Sequence, residues 1–303
     1  MFIIGRHSLW ILLFCLSTFF VPQALAAGKN ALVLASFGSA GPEAVKNLEA
    51  FAESLRQERK DLKIVKAFTS SEIVEKLKDG EFETPSVASA ISSLADEGYT
   101  NIGVLSLHIT PGRSYTELAR SVERLRELLG GRIKIELSRP LAANEADAFN
   151  LASYLIYSLP SEIKPGEAVV FVGRGSDNQG SLVYPALNWA LFLQGEKGSL
   201  YMVMNLENRE SVDQAMQILK LNRRKVVWLI PLMGVNGAQA EKYVFSTDDN
   251  SIASRLKDAG HTVRPYKQGL VANPSVQSMW KARLKQLMPP PADASDGAET
   301  SGN

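Results

Sequence analysis

Eight apolar runs, each closing on small or polar residues, divide the chain, and they fall into two groups of four that repeat one order. A continuous apolar run of strand length needs both faces covered, and the segments between these runs carry apolar residues at helical spacing. That alternation predicts an α/β fold built on parallel sheets with crossover helices. The first group reads ALVLASFGS (31–39), LKIVKAFTS (62–70), NIGVLSLHI (101–109) and IKIELSRPL (133–141). The second reads AVVFVGRGS (168–176), SLYMVMNLE (199–207), KVVWLIPLM (225–233) and HTVRPYKQG (261–269). Helical segments between strands include AVKNLEAFAESLRQE, TPSVASAISSLADEG and SYTELARSVERLRELLG, the last stopped by Gly130 as a C-cap. NEADAFNLASYLIYSL joins the two groups.

The groups correspond run by run. LVLASFGS pairs with VVFVGRGS, GVLSLHITPG pairs with VVWLIPLMGVNG, and each group closes on a shorter, more polar strand. Two copies are too few for a solenoid, so the expectation is two similar doubly wound parallel-sheet domains, 27–143 and 144–288, facing a central cleft. The tail 289–303, PPPADASDGAETSGN, has the composition of a disordered segment.

Ahead of the first strand, Arg6 precedes an apolar run from Leu9 to Val21 and then Ala24, Leu25, Ala26 and Ala27. This is the pattern of a secretory signal peptide (1–26) cleaved near Ala26, the apolar run being shorter than the roughly 20 residues that span a bilayer. Export, most simply to the periplasm, and no stable membrane anchor are therefore expected. Cys15, the one cysteine, would leave with the leader, which excludes disulfides, thiolate metal ligation and a cysteine nucleophile from the mature chain. Arg6 would leave too, so 33 Lys+Arg become 32 against 32 Asp+Glu, and no basic stripe suggests nucleic acid.

In open parallel sheets ligands bind beyond the carboxyl ends of the strands. The residues to weigh are therefore Ser36 to Ser39, His108 to Gly112, Arg174 to Asp177, Asn205 to Asn208 and Gly234 to Gln239. His108 ends a strand, whereas His261 starts one at the far end and reads as a surface residue. Glu207 either points a carboxylate into the cleft or sits in the cap of the next helix, a role Asn208 fills equally well. Gln239 opens a helix after a Gly-rich turn. GRGSDNQG lacks the spacing of a phosphate loop, and neither a GxSxG elbow nor an HExxH pair occurs.

The ordered set LVLASFGS, LSLHITPGRSYTEL, VVFVGRGSDNQGSLVYPALNWAL, LYMVMNLEN and VVWLIPLMGVNGAQAEKY resembles the anaerobic sirohydrochlorin cobaltochelatases, the CbiK type of class II chelatase, over about Asn30 to Leu287. The resemblance implies a tetrapyrrole cleft between two α/β domains and insertion of Co(II) or Fe(II) into sirohydrochlorin. It also implies that the family's strand end GHGT falls on Gly173-Arg174-Gly175-Ser176, with Arg174 in the place of the metal-binding histidine. A second family histidine falls on Gln239, and the family's glutamate is kept as Glu207. Of the H-x-x-x-G-x-E-Y segment, His108, Gly112 and Tyr115 match while Ser114 stands for the glutamate.

Arginine has no lone pair and stays protonated, so it cannot ligate a cation, but its fork suits a carboxylate. The first expectation is thus a tetrapyrrole or other anionic small molecule bound with Arg174, Ser176, Gln239, Ser36 and Tyr115, without efficient metallation. His108 is the strand-end side chain that could ligate haem iron axially. An active chelatase using Glu207 and His108 for metal and protons, and a periplasmic small-molecule binding protein, are the alternatives. A purely structural role would have Arg174 paired with Glu207 or Asp177.

Overall fold

The computed structural model describes residues 28–291 apart from 79, 177, 178 and 197, so the expected leader and cleavage site, Asp177 and all but the start of the tail lie outside the described residues. The first half runs β1 (Lys29–Ser36), α1 (Pro42–Glu58), β2 (Lys63–Phe68), α2 (Ser71–Leu77), α3 (Val87–Asp96), β3 (Tyr99–Ser106), α4 (Arg113–Leu129) and β4 (Lys134–Leu137). After α5 (Glu145–Tyr157), the second half runs β5 (Ala168–Gly173), α6 (Val183–Gln194), β6 (Leu200–Asn205), α7 (Arg209–Leu221) and β7 (Val226–Leu232). It closes with α8 (Ala238–Ala240), α9 (Ile252–Asp258), β8 (Thr262–Pro265) and α10 (Pro274–Leu287).

All strand pairs are parallel, in orders β2-β1-β3-β4 and β6-β5-β7-β8, so the two sheets share one topology. The physical reason lies in the apolar runs. Ala31 to Ala35 of β1 and Ala168 to Val172 of β5 are buried throughout, which requires cover on both faces. The polar closing strands shrink to four residues each: β4 stops at Leu137, and Pro265, which has no amide to donate onward, ends β8.

Side chains alternate between two cores at the period of the strand. Leu32 and Leu34 of β1 and Val169 and Phe171 of β5 enter one central cluster shared by both halves. Ala31, Val33 and Ala35 face a separate cluster under α3 and α4, and Ala168, Val170 and Val172 face a third under α7 and α9. The central cluster is closed by α10, the last helix, which returns to the first half. Its Trp280 is fully buried, 5.9 Å from the ring of Phe51 on α1, and Arg59 donates from Nη1 to the Met288 carbonyl at 2.7 Å. Arg283 of α10 also pairs with the buried Asp147 of α5 at 2.5 Å. The halves are thereby fastened by the chain end as well as by their shared core.

Trp280→Ala is expected to cost about 3–5 kcal/mol of unfolding free energy, the range for emptying a buried aromatic site. Urea unfolding followed by circular dichroism measures it, and a loss under about 1 kcal/mol would show that α10 does not fasten the halves.

Candidate functional site at the strand ends

The carboxyl ends of both sheets meet. Ser39, beyond β1, donates from its hydroxyl to the Asn236 carbonyl beyond β7 at 3.3 Å. Ser176, beyond β5 and buried, lies against Gly112 at the start of α4.

In this seam Arg174 stands between Glu207 and Gln239. Its Nε donates to Glu207 Oε1 at 3.1 Å, and its Nη1 donates to Gln239 Oε1. Three residues from three strand ends are thus joined by one guanidinium, and the Glu207 pairing is also the one expected of a purely structural Arg174. The arrangement is wet, with the Arg174 side chain 47% exposed and that of Glu207 32%, so the ion pair contributes no more than about 1 kcal/mol. Its value is positional.

The glycines around Arg174 explain the sequence Gly-Arg-Gly. A Cβ on Gly173 would stand 2.5 Å from the Tyr184 hydroxyl oxygen, so a side chain there would displace that ring. Gly175 has φ +92°, and a Cβ there would run into the Asn205 side chain. Tyr184, on α6, accepts the Gly175 amide on its hydroxyl at 2.9 Å. Burial, with hydrogen bonds to Gly175 and Thr110 opposing it, pushes the Tyr184 pKa up to about 12, so the phenol stays protonated.

Glu207 is aimed from below. The Asn205 side chain accepts the Glu207 amide at 3.0 Å, while Asn208 caps α7 by accepting from Ser211 at 3.1 Å. The capping role therefore belongs to Asn208, which leaves the Glu207 carboxylate to Arg174. Gln239 sits in the short turn α8, capped by Gly237 and continued by a π-helical turn over Glu241–Phe245. Such turns recur at functional sites because they re-aim side chains.

His108 and Tyr115 form a different cluster. His108 Nδ1 is 3.0 Å from Ser106 Oγ and Nε2 is 3.5 Å from Thr69 Oγ1, with Tyr115 edge-on at 6.3 Å between ring centroids. Tyr115 donates to the Ser138 carbonyl at 3.2 Å, and burial raises its pKa. Burial lowers the His108 pKa to about 4, so the imidazole is neutral at physiological pH. Ser36 is buried at the end of β1, and its hydroxyl has no hydrogen-bond partner among the described residues. His108 and Glu207 do not hydrogen-bond to each other. Sequence reasoning missed Tyr184 and Thr69 as supports and placed Asn205 at the strand end without a role; the two glycines flanking Arg174 were the one readable sign that large side chains crowd this turn.

A cavity of about 590 Å³ opens between the halves beside this seam. Its walls include Gly41 and Asn47 of the α1 region, Lys76 of α2, and Asn236, Gly237 and Lys267 of the second half. Gly237 ties the cavity to the Gln239 turn. Among the described residues, no group of three or more His, Cys, Asp or Glu side chains is placed to hold a metal ion, and no helix is long and apolar enough to cross a membrane.

Two parallel sheets of one topology, meeting at their carboxyl ends, define a class II chelatase fold. SirB from Bacillus subtilis with Fe3+ superposes with a TM-score of 0.60 at 15% identity, over 86% of this chain and 95% of that one. SirB from Bacillus subtilis subspecies spizizenii in complex with cobalt gives 0.57 at 14% identity, over 86% and 95%. The cobalt chelatase (CbiK) family model matches residues 30–289, and the chain belongs to that family. It is 31% identical over 262 residues to the sirohydrochlorin cobaltochelatase CbiKC of Nitratidesulfovibrio vulgaris, covering 86% of this chain and 92% of that protein. It is also 31% identical over 264 residues to the sirohydrochlorin cobaltochelatase of Salmonella typhimurium, covering 86% and 97%.

The depressed His108 pKa sets a pH dependence with a definite sign. The unfolded chain takes up a proton near the ordinary pKa of 6.5, whereas the folded chain resists until about 4. The stability involved is complete above pH 6.5 and is lost as pH falls toward 4, by up to about 3 kcal/mol. Urea unfolding at about pH 7 and pH 5 should show this slope in the wild type and a shallower one in His108→Gln; equal slopes would mean that His108 titrates normally.

Proposed function

We propose that this chain is an exported member of the cobalt chelatase family that binds a polycarboxylate tetrapyrrole such as sirohydrochlorin between its halves and does not insert metal efficiently. The observation that carries the reading is Arg174, whose guanidinium bridges Glu207 and Gln239. The fixed cation occupies the position from which those two side chains could otherwise reach a metal ion. A divalent ion ~4 Å from the guanidinium would be repelled by about 2 kcal/mol in water and about 8 kcal/mol at an effective dielectric of 20. Even the smaller figure lowers affinity roughly 30-fold. The Gln239 amide has no basic site for the protons that metal insertion releases, and Glu207 is already neutralised by its partner.

The same geometry suits a carboxylate ligand. Arg174 is held by one carboxylate and one amide oxygen at a half-exposed site, so an incoming carboxylate can replace them with little loss. The neighbouring cavity is within the size range of small-molecule sites; its wall is balanced in charge, with Lys76 and Lys267 beside Glu43 and Glu241 and Lys267 paired with Glu241 at 2.7 Å, so the cation offered to a carboxylate is Arg174. Haem ligation through His108 Nε2 would displace the ring from Thr69 and leave Nδ1 with Ser106. The leader and its Ala24-Leu25-Ala26 site support export.

Purified protein titrated with sirohydrochlorin should perturb the ligand's absorption spectrum, and Arg174→Ala should weaken that binding about 10-fold. Added Co(II) should enter the bound ligand no faster than it enters free sirohydrochlorin. In Arg174→His/Gln239→His, calorimetry should show a gain of Co(II) binding. Insertion well above the uncatalysed rate, abolished by Glu207→Ala, would overturn the proposal in favour of an active chelatase.

A further inference from the structure

The helix that carries Tyr184 has a second face with no role in the cleft. From Val183 to Gln194, α6 contains no Asp, Glu, Lys or Arg, and its outer side exposes Trp189 (53%), Phe192 (71%) and Leu193 (52%). Trp189 and Phe192 are stacked on each other at 5.6 Å between ring centroids. The neighbouring α5 adds Tyr154 and Tyr157, the latter 86% exposed. The two helices are joined at this face: Ser153 donates to the Gln194 side-chain oxygen at 2.5 Å, and Gln194 donates to the Phe149 carbonyl at 3.0 Å. Leu182, just ahead of α6, is also exposed.

A helix apolar on every side is ordinarily covered on every side. We infer that this α5–α6 face is covered by the same face of a second copy of the chain, giving a two-fold dimer. Two features select that occupant. A two-fold axis sets a patch against itself, so any excess of one charge would repel; α6 has no charge, and the exposed apolar side chains of α5 lie beyond its only acidic residues, Glu145 and Asp147. The six exposed side chains present on the order of 700 Å² of largely apolar surface, close to the ~800 Å² per partner of a stable interface, with an aromatic pair at the middle of α6. A lipid surface is disfavoured by the same composition. Membrane-binding faces carry lysines and arginines beside the apolar stripe, and α5 and α6 have neither.

Sedimentation velocity on the purified protein from about 1 to 100 μM should show a dimer. Trp189→Glu and, on the other helix, Tyr157→Glu should each raise the dissociation constant at least about 30-fold with the circular dichroism spectrum unchanged. Leu221→Glu, at an exposed position of α7 away from this face, should leave the dimer intact. In protein purified without residues 1–26, which include Trp10, iodide quenching provides an independent reading, because Trp228 and Trp280 are buried while Trp189 is not. Quenching should fall as concentration rises through the dissociation constant. A monomer at every concentration, a dimer indifferent to both face substitutions, or binding of a monomer to vesicles of anionic lipid would each overturn the inference.

Discussion

Burial of parallel strands on both faces is the constraint from which the rest of this architecture follows. A parallel strand reaches its neighbour only through a crossover, so each half must carry its helices on both sides of its sheet. Every strand then points its carboxyl end the same way, and the turns that enter the next helices gather along one edge. In this chain one face of each sheet is given to a common core, and α10 returns to seal it with Trp280. In the second sheet β6, β5 and β7 lie side by side, so Arg174, Glu207 and Gln239 meet at neighbouring strand ends although they lie on three different connections.

The halves repeat a topology but not a site. Gly38 and Gly175 take the same left-handed turn beyond β1 and β5, at φ +100° and +92°, and the preceding residues are Phe37 and Arg174. Gly112 and Gly237 both cap the helix after the third strand, placing Ser114 where the second half has Gln239. The connection after the second strand differs in length. In the first half a single residue, Thr69, separates β2 from the cap Ser70, whereas Leu206 and Glu207 separate β6 from the cap Asn208. The additional residue is the glutamate itself. The first half thus offers an apolar ring and a hydroxyl where the second offers a cation and an amide, and it has no counterpart of the carboxylate. Its polar interior, around His108, Ser106 and Tyr115, is instead inward-facing and neutral.

Much of this was legible in the chain because the driving force is periodic. The apolar runs locate the inner strands, and their cover on both faces separates parallel from antiparallel pairing before any contact is known. Where the signal fades, so does the legibility. The helix α2 buries none of its residues and leaves little apolar stripe to read, while β4 and β8 are polar and therefore extend less far than their sequences suggest. The three strand-end residues could be nominated from the topology together with the family resemblance. Their supports could not. Tyr184 and Asn205 act by filling space that glycines vacate, a relation between distant positions that leaves only the glycines visible in the sequence. Nor does sequence separate a capping Glu207 from a cleft-facing one, because that depends on the hydrogen bond Asn208 makes to Ser211.

An arginine at this turn changes what a chelatase-type cleft can do by changing which protons and charges are fixed. A metal-inserting site must alternate between holding a cation and accepting protons, which requires side chains that change protonation state. A guanidinium does neither, since it keeps its charge at every accessible pH. While it bridges Glu207 and Gln239, the carboxylate is balanced and the amide oxygen is turned toward the cation. What persists is a donor fork supported by Gly175, Tyr184 and Asn205, two residues from the cavity wall at Gly237 through its partner Gln239. Because the fork is half-exposed, its present partners hold it only weakly, and an anionic ligand that buries it would gain from the lower dielectric it brings. On the proposed reading, the cleft is therefore better suited to retaining an anion than to exchanging a cation.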